Sequence, residues 1–215
     1  DAMPTEDNWI MSKSSIPEPG ENEVVAEAIY LDVAPYMRSR ISPQKNYTSG
    51  VGLGDLMVGG AIGQVVNSNV VDYPVGQLIV TGNFGWQEYA ALKPNEMRKV
   101  DTEIAPLPCR FDFMGTNGIT AYFGLIEVGS MKVGDTVVIS ASAGSVGQIA
   151  SQIAKLSGCR AIAITSSEKK LAWCQKIGYD DGINYKTEPN LVDAITRICP
   201  NGVNLYFANT AGPIH

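Results

Sequence analysis

Thr136-Val-Val-Ile-Ser140-Ala-Ser-Ala-Gly144-Ser-Val-Gly147 carries a short β-branched run into a small-residue turn, and Gln148–Ser157 continues with helical spacing. Strand, tight turn and helix in that order form the context a dinucleotide fingerprint requires. Ala141, Gly144 and Gly147 make an A-x-x-G-x-x-G pattern, with Ser142 where G-x-G-x-x-G would place its first glycine. Small residues let backbone N–H groups approach a pyrophosphate, and the helix N-terminus adds partial positive charge there. In this reading Gly144, Ser145, Val146 and Gly147 bind the pyrophosphate. The bland alternative is a tight strand–helix turn and nothing more. A second strand, Ala161–Thr165, follows at βαβ distance and strengthens the nucleotide reading.

Working outward, the alternation continues with helix Val146–Leu156, helix Glu168–Ile177, a short strand Gly182–Tyr185, helix Asn190–Ile198 and strand Gly202–Ala208. Strands alternating with helices predict a parallel sheet covered by helices. A further helix is expected over Gly118–Val128. The first half differs. Glu23–Leu31, Ala61–Val66, Leu78–Thr81 and Glu88–Leu92 read as short strands between turns rich in Gly, Pro and Asn, which suggests a small barrel or sandwich. Prolines at Pro106 and Pro108 mark the change of character. Two domains are expected: a β-rich one over 1–105 and an α/β nucleotide domain over 106–215. The second holds one mononucleotide half and only the start of another, in the usual order 3-2-1-4-5-6.

The chain has 215 residues and a formal net charge of −6 with no basic run, which argues against nucleic acid as a partner. No window reaches the roughly 18 apolar residues of a membrane span. Asp1–Trp9 is polar, contains a proline and does not read as a signal peptide. Cys109, Cys159, Cys174 and Cys199 lack metal-ligand spacing and read as reduced, packed thiols of a cytoplasmic protein. His215 is the sole histidine, so no metal site is expected.

Past the second strand, Thr165-Ser-Ser-Glu-Lys169 offers Lys169 to an adenosine 2′-phosphate, with the hydroxyls of Ser166 and Ser167 beside it. An NAD site would instead want a carboxylate about 20 residues past the glycines, and Glu168 lies near that spacing. Both readings stand on the residues alone. Phe84 and Trp86 can wall an apolar pocket or belong to a core, and Phe84 is taken as a substrate-binding residue. Asn209 ends the last strand on the switch-point side of the sheet, where ligands collect.

Along its whole length the chain resembles the medium-chain dehydrogenase/reductase superfamily, in the zinc-free branch of prostaglandin reductases and plant 2-alkenal (double-bond) reductases. The residues that carry this are Pro4-Thr-Glu-Asp-Asn-Trp9, Tyr30-Leu-Asp-Val-Ala-Pro-Tyr-Met-Arg38, Gly85-Trp-Gln-Glu-Tyr89, Gly118-Ile-Thr-Ala-Tyr-Phe-Gly-Leu125, Ser140–Cys159, Asn184-Tyr-Lys186 and Gly202-Val-Asn-Leu-Tyr-Phe207. Departures fall at Ala34, Thr116-Asn117 and Ala208, where that branch usually has Asp, Met-Pro and Asp.

The resemblance implies a GroES-like β-barrel-type domain followed by a Rossmann domain. It implies NADPH-dependent reduction of the C=C bond of α,β-unsaturated aldehydes or ketones, with hydride delivered to the β-carbon. Lys169 corresponds to the family's lysine for the 2′-phosphate. Tyr185 and Asn209 correspond to cofactor contacts, Thr120 lies near the nicotinamide in relatives, and Tyr36 matches a tyrosine facing the substrate carbonyl. No protein nucleophile or other catalytic residue is assigned, and no metal. A homodimer is implied, as is a longer protein of about 330–350 residues in which the second mononucleotide half follows. Residues 1–215 alone are expected to be inactive. A quinone reductase of the same superfamily and a non-catalytic NADP-binding module are the rival readings.

Overall fold

The computed structural model describes residues 3–42, 49–212 and 214; Asp1, Ala2 and His215 lie outside them. The chain divides into two compact units, Asp1–Arg110 and Phe111–His215.

The first unit is built on a five-stranded antiparallel sheet in the order β4-β1-β2-β3-β5. Its strands are β1 (Val24–Leu31), β2 (Ala61–Ser68), β3 (Leu78–Thr81), β4 (Tyr89–Leu92) and β5 (Met97–Lys99). β1 is irregular, with register shifts between Val25 and Ala26 and between Ala28 and Tyr30. Such shifts bend a strand and increase its twist. Val24, Ala26, Ala61, Val65, Ile79, Phe84, Ala90, Leu92 and Met97 make the core. A single helical turn, α1 (Tyr36–Arg40), follows β1.

In the second unit α2 (Thr116–Tyr122) runs directly into a π-helical turn at Phe123–Val128. The expected helix is therefore present but widens halfway. Gly118 is buried against the Phe113 carbonyl, and Asn117 Nδ2 donates to the Phe111 carbonyl at 2.9 Å. Then come β6 (Thr136–Ser140), α3 (Ser145–Leu156), β7 (Arg160–Thr165), α4 (Glu168–Lys176), β8 (Asp181–Asn184), α5 (Leu191–Ile198) and β9 (Leu205–Phe207). The four strands are parallel in the order β8-β7-β6-β9. This corresponds to 3-2-1-4 of a doubly wound sheet, whose strand order reverses between β6 and β9.

Both faces of that sheet are covered, which is why its strands read as unbroken apolar runs. Val137, Ile139, Ala161, Ala163 and Phe207 face Ile149, Ala150, Ala154 and Cys174 of α3 and α4. The alternate residues Val138, Ile162 and Ile164 face Leu191, Ile195 and Ile198 of α5. β9 is shorter than the seven-residue run suggests. Gly202 has φ +90°, and Asn204 hydrogen-bonds Thr136 through both its backbone N–H and its side chain, so regular pairing starts only at Leu205. Among the described residues no helix is long and apolar enough to cross a membrane.

Candidate functional site: the turns at the carboxyl end of the parallel sheet

β6 ends at Ser140 and the chain turns within four residues. Ala141 takes the left-handed conformation, φ +47°, which costs a non-glycine residue free energy and recurs at ligand sites. Gly144 N–H closes the turn on the Ala141 carbonyl at 2.8 Å. Ser142 is fully buried and staples two strands. Its Oγ donates to the Ile139 carbonyl at 2.5 Å and accepts from the Ile164 N–H at 2.8 Å. Below, the buried Tyr179 hydroxyl donates to the Gly147 carbonyl at 2.8 Å. Burial pushes its pKa well above that of a free phenol, with a hydrogen bond to Ser142 opposing in part, so it acts as a neutral donor.

The four fingerprint residues divide the work. Gly144 caps α3 without a side chain, and it and Ser145 are exposed while Val146 is half-buried. Their N–H groups begin a helix whose first turn has no side-chain partner, and a Cβ at Gly144 would meet only the Ala141 carbonyl. An open, uncapped helix start of this kind fits a diphosphate. Gly147 is buried and faces the turn, so its lack of a side chain allows α3 to pack closely there.

Across the switch point, Asn209 N–H donates to Ser140 Oγ at 2.7 Å and Asn209 Nδ2 to the Ser140 carbonyl at 3.0 Å. Thr210 N–H also reaches Ser140 Oγ, at 3.3 Å. One N–H of the Asn209 amide is thus committed to β6, and its second N–H and its side-chain oxygen are left for a ligand.

At the end of β7, Ser167 caps α4 by accepting the Lys170 N–H at 3.3 Å. Lys169 is exposed and forms no ion pair with any described residue. Lys170 Nζ lies 3.4 Å from Ser166 Oγ. Glu168 Oε1 accepts from Asn184 Nδ2 at 2.8 Å. Tyr185 is half-buried, and its ring packs on the α5-side cluster with Val138, Ile162 and Ile164, the face opposite α4. Thr120 is exposed on α2.

Two candidates belong to the first unit. Tyr36 is half-buried and opens α1. Phe84 corrects the sequence reading: it is 1% exposed and packs in the core, so it offers no pocket wall within its unit. The cause is local. Phe84 and Gly85 N–H both donate to the Gly59 carbonyl, and Gly85 has φ +78°, a turn that sends the ring inward. Trp86 is half-buried, donates from Nε1 to the Asp32 carbonyl at 3.2 Å, and lies against Trp9 with centroids 5.3 Å apart.

Sequence reasoning missed Ser140 and Tyr179, and it named Ser142 and Asn184 only as members of motifs, without their hydrogen bonds. Ser142 yields a direct test. Ser142→Ala leaves the buried Ile164 N–H and Ile139 carbonyl without this partner, and should destabilise the protein by about 1–3 kcal/mol. Thermal unfolding reads this, and an unchanged midpoint would show that the staple contributes nothing.

An antiparallel β unit followed by a parallel, doubly wound unit is the architecture of the medium-chain dehydrogenase/reductase class. Residues 1–100 match the family model described as the N-terminal domain of oxidoreductase, and residues 145–214 match one described as zinc-binding dehydrogenase. The chain belongs to this superfamily, in its zinc-independent double-bond reductase branch. Prostaglandin reductase 1 of Rattus norvegicus is 35% identical over 99% of this chain and 63% of its own length. The NADP(+)-dependent 2-alkenal reductase of Nicotiana tabacum is 36% identical over 93% of this chain and 59% of its own. CurA of Vibrio vulnificus, also solved in complex with NADPH, superposes with a TM-score of 0.90 at 37% identity over 98% of this chain and 62% of CurA. The chain thus spans less than two thirds of the length of these relatives. Among the described residues, no group of three or more His, Cys, Asp or Glu side chains lies close enough to hold a metal.

Proposed function

We propose that the protein is an NADPH-dependent reductase of the C=C bond of α,β-unsaturated aldehydes and ketones. The observation that carries this is the likeness to CurA, a protein solved with NADPH, over 98% of the chain. The names of the prostaglandin, 2-alkenal and curcumin reductases that match it at 31% to 36% identity support the substrate class.

In this reading the N–H groups of Ser145 and Val146 hold the pyrophosphate over Gly144, whose own N–H closes the turn and whose missing side chain lets the phosphates approach, and the Asn209 amide contacts the cofactor at the switch point. Lys169 takes the 2′-phosphate, which favours NADP(H) over NAD(H). Tyr185 and Thr120 are the further cofactor contacts, and Gly147 keeps the helix against the turn. Bound NADPH supplies the reducing equivalent. Tyr36 donates a hydrogen bond to the carbonyl oxygen, where negative charge grows as the double bond is reduced, and a donor fixed there lowers the barrier. No metal takes part. The protein works as a homodimer in the cytoplasm, a compartment that suits its four free cysteines.

The test, made on the longer protein that the resemblance implies, is turnover of crotonaldehyde with NADPH, with the product identified by mass spectrometry and benzoquinone run as a competing acceptor. Saturated aldehyde is the expected product, unaffected by a chelator. Allylic alcohol, or reduction of the quinone alone, would overturn the assignment.

A further inference from the structure

A dinucleotide site that holds an acid and a lysine side by side is ambivalent. A carboxylate past the second strand accepts the ribose 2′-hydroxyl of NAD, and the same charge repels a 2′-phosphate. Glu168 and Lys169 are such a pair, and the structure shows what separates them.

Glu168 is the first residue of α4, and its Oε1 accepts from Asn184 Nδ2 at 2.8 Å. Asn184 is the last residue of β8, paired in register with Thr165, the last residue of β7. It is 8% exposed. Its own Oδ1 accepts the Lys186 N–H at 3.2 Å. Both ends of the amide are therefore specified. A flipped amide would set its NH2 against the Lys186 N–H and its oxygen against the carboxylate, so the donor stays aimed at Glu168. The bond draws the Glu168 carboxylate toward the end of β8. Lys169, the next residue on the helix, points about 100° away and has no ion-pair partner among the described residues.

We infer that Asn184 is a positioning residue for cofactor choice: it holds Glu168 off the ribose, so that Lys169 alone answers the 2′ position. This rests on the reading that the β7–α4 turn receives the adenosine ribose of NADPH. Removing the amide frees the acid to accept the 2′-hydroxyl of NADH and to repel the phosphate of NADPH.

The experiment is direct titration of the protein with NADPH and with NADH, followed by calorimetry, for wild type, Asn184→Ala, Glu168→Gln and the double variant. Asn184→Ser is a second form of the change, since a serine hydroxyl still accepts the Lys186 N–H but is too short to reach Glu168. In the Asn184 variants NADH binding should tighten and NADPH binding weaken, lowering the NADPH-to-NADH affinity ratio roughly tenfold. Glu168→Gln alone should leave NADH affinity within about twofold, and the double variant should lose the NADH gain, a coupling that simple loss of structure does not produce. Equal weakening of both nucleotides, or an NADH gain that Glu168→Gln fails to cancel, overturns the role of Asn184 and leaves the NADP preference standing. A wild-type protein that binds both cofactors equally overturns the NADP reading instead. The role of Asn184 is then still judged by whether its loss tightens NADH through Glu168.

Discussion

Gly147→Ala should abolish nucleotide binding and cost more stability than any other single methyl in the turn. A Cβ at Gly147 would lie 2.6 Å from the Ala141 carbonyl oxygen, 2.7 Å from Ser142 Cα and 2.7 Å from the Ser142 carbonyl oxygen. All three are backbone atoms of a turn already stapled by Ser142 to β6 and β7, so no flexible side chain can yield. Either α3 or the turn must move, and both routes disturb the Tyr179 bond to the Gly147 carbonyl. Overpacking of this kind costs about 1–3 kcal/mol or more, a fall in unfolding temperature on the order of 10 °C. Gly144→Ala is the informative contrast. Its Cβ meets only the Ala141 carbonyl, at 3.0 Å, and its φ of −81° suits alanine. That variant should melt close to wild type yet bind NADPH poorly, because the new methyl stands where the phosphates approach. The pair separates packing from ligand contact. Normal NADPH affinity in both variants would sink the assignment of this turn as the pyrophosphate site.

The second unit is legible in the sequence because buried parallel strands are short β-branched runs bounded by turn residues. Thr136–Ser140 is observed at its expected bounds, and α3 starts one residue before its expected first residue. The failures have local causes. β5, Met97-Arg-Lys99, is three residues without alternation, and α1 is one turn behind Pro35, too short for any helical period to register. The site is legible only where chemistry resides in side-chain type. Gly144 and Lys169 announce themselves. Asn209 is a candidate from its place at the end of the last strand, but its bond to the Ser140 backbone is not legible there, and Ser142 and Tyr179 likewise act on the backbone of Ile139 and Gly147. No window of residue types records which way a distant carbonyl faces. Asn184 is visible as one of three residues in a family-like Asn-Tyr-Lys, but its bond to Glu168 exists only once β7 and β8 are paired. Phe84 shows the reverse error, an aromatic beside a strand that a left-handed glycine turns into the core.

Lys169→Ala should weaken NADPH roughly tenfold to a hundredfold, the contribution of about 1.5–3 kcal/mol made by a hydrogen bond to a charged group. NADH binding should change little. Lys169 is exposed, so solvent screening puts the expected loss at the lower end of that range. The same exposure makes a second demand. The wild-type preference for NADPH over NADH should shrink as salt rises, since the Debye length is about 8 Å at physiological ionic strength and shorter above it. The variant's ratio, already without the charge, should respond less. Lys170→Ala serves as the neighbouring control. Its Nζ makes one long contact, 3.4 Å, with Ser166 Oγ, and its backbone N–H, which the substitution keeps, caps α4 through Ser167. Losing that side chain should therefore cost NADPH less than losing Lys169. If Lys169→Ala weakens both cofactors alike, the lysine acts on the helix start and not on the phosphate. If Lys170→Ala carries the larger NADPH loss, the 2′-phosphate lies one residue further along α4, on the lysine that Ser166 holds.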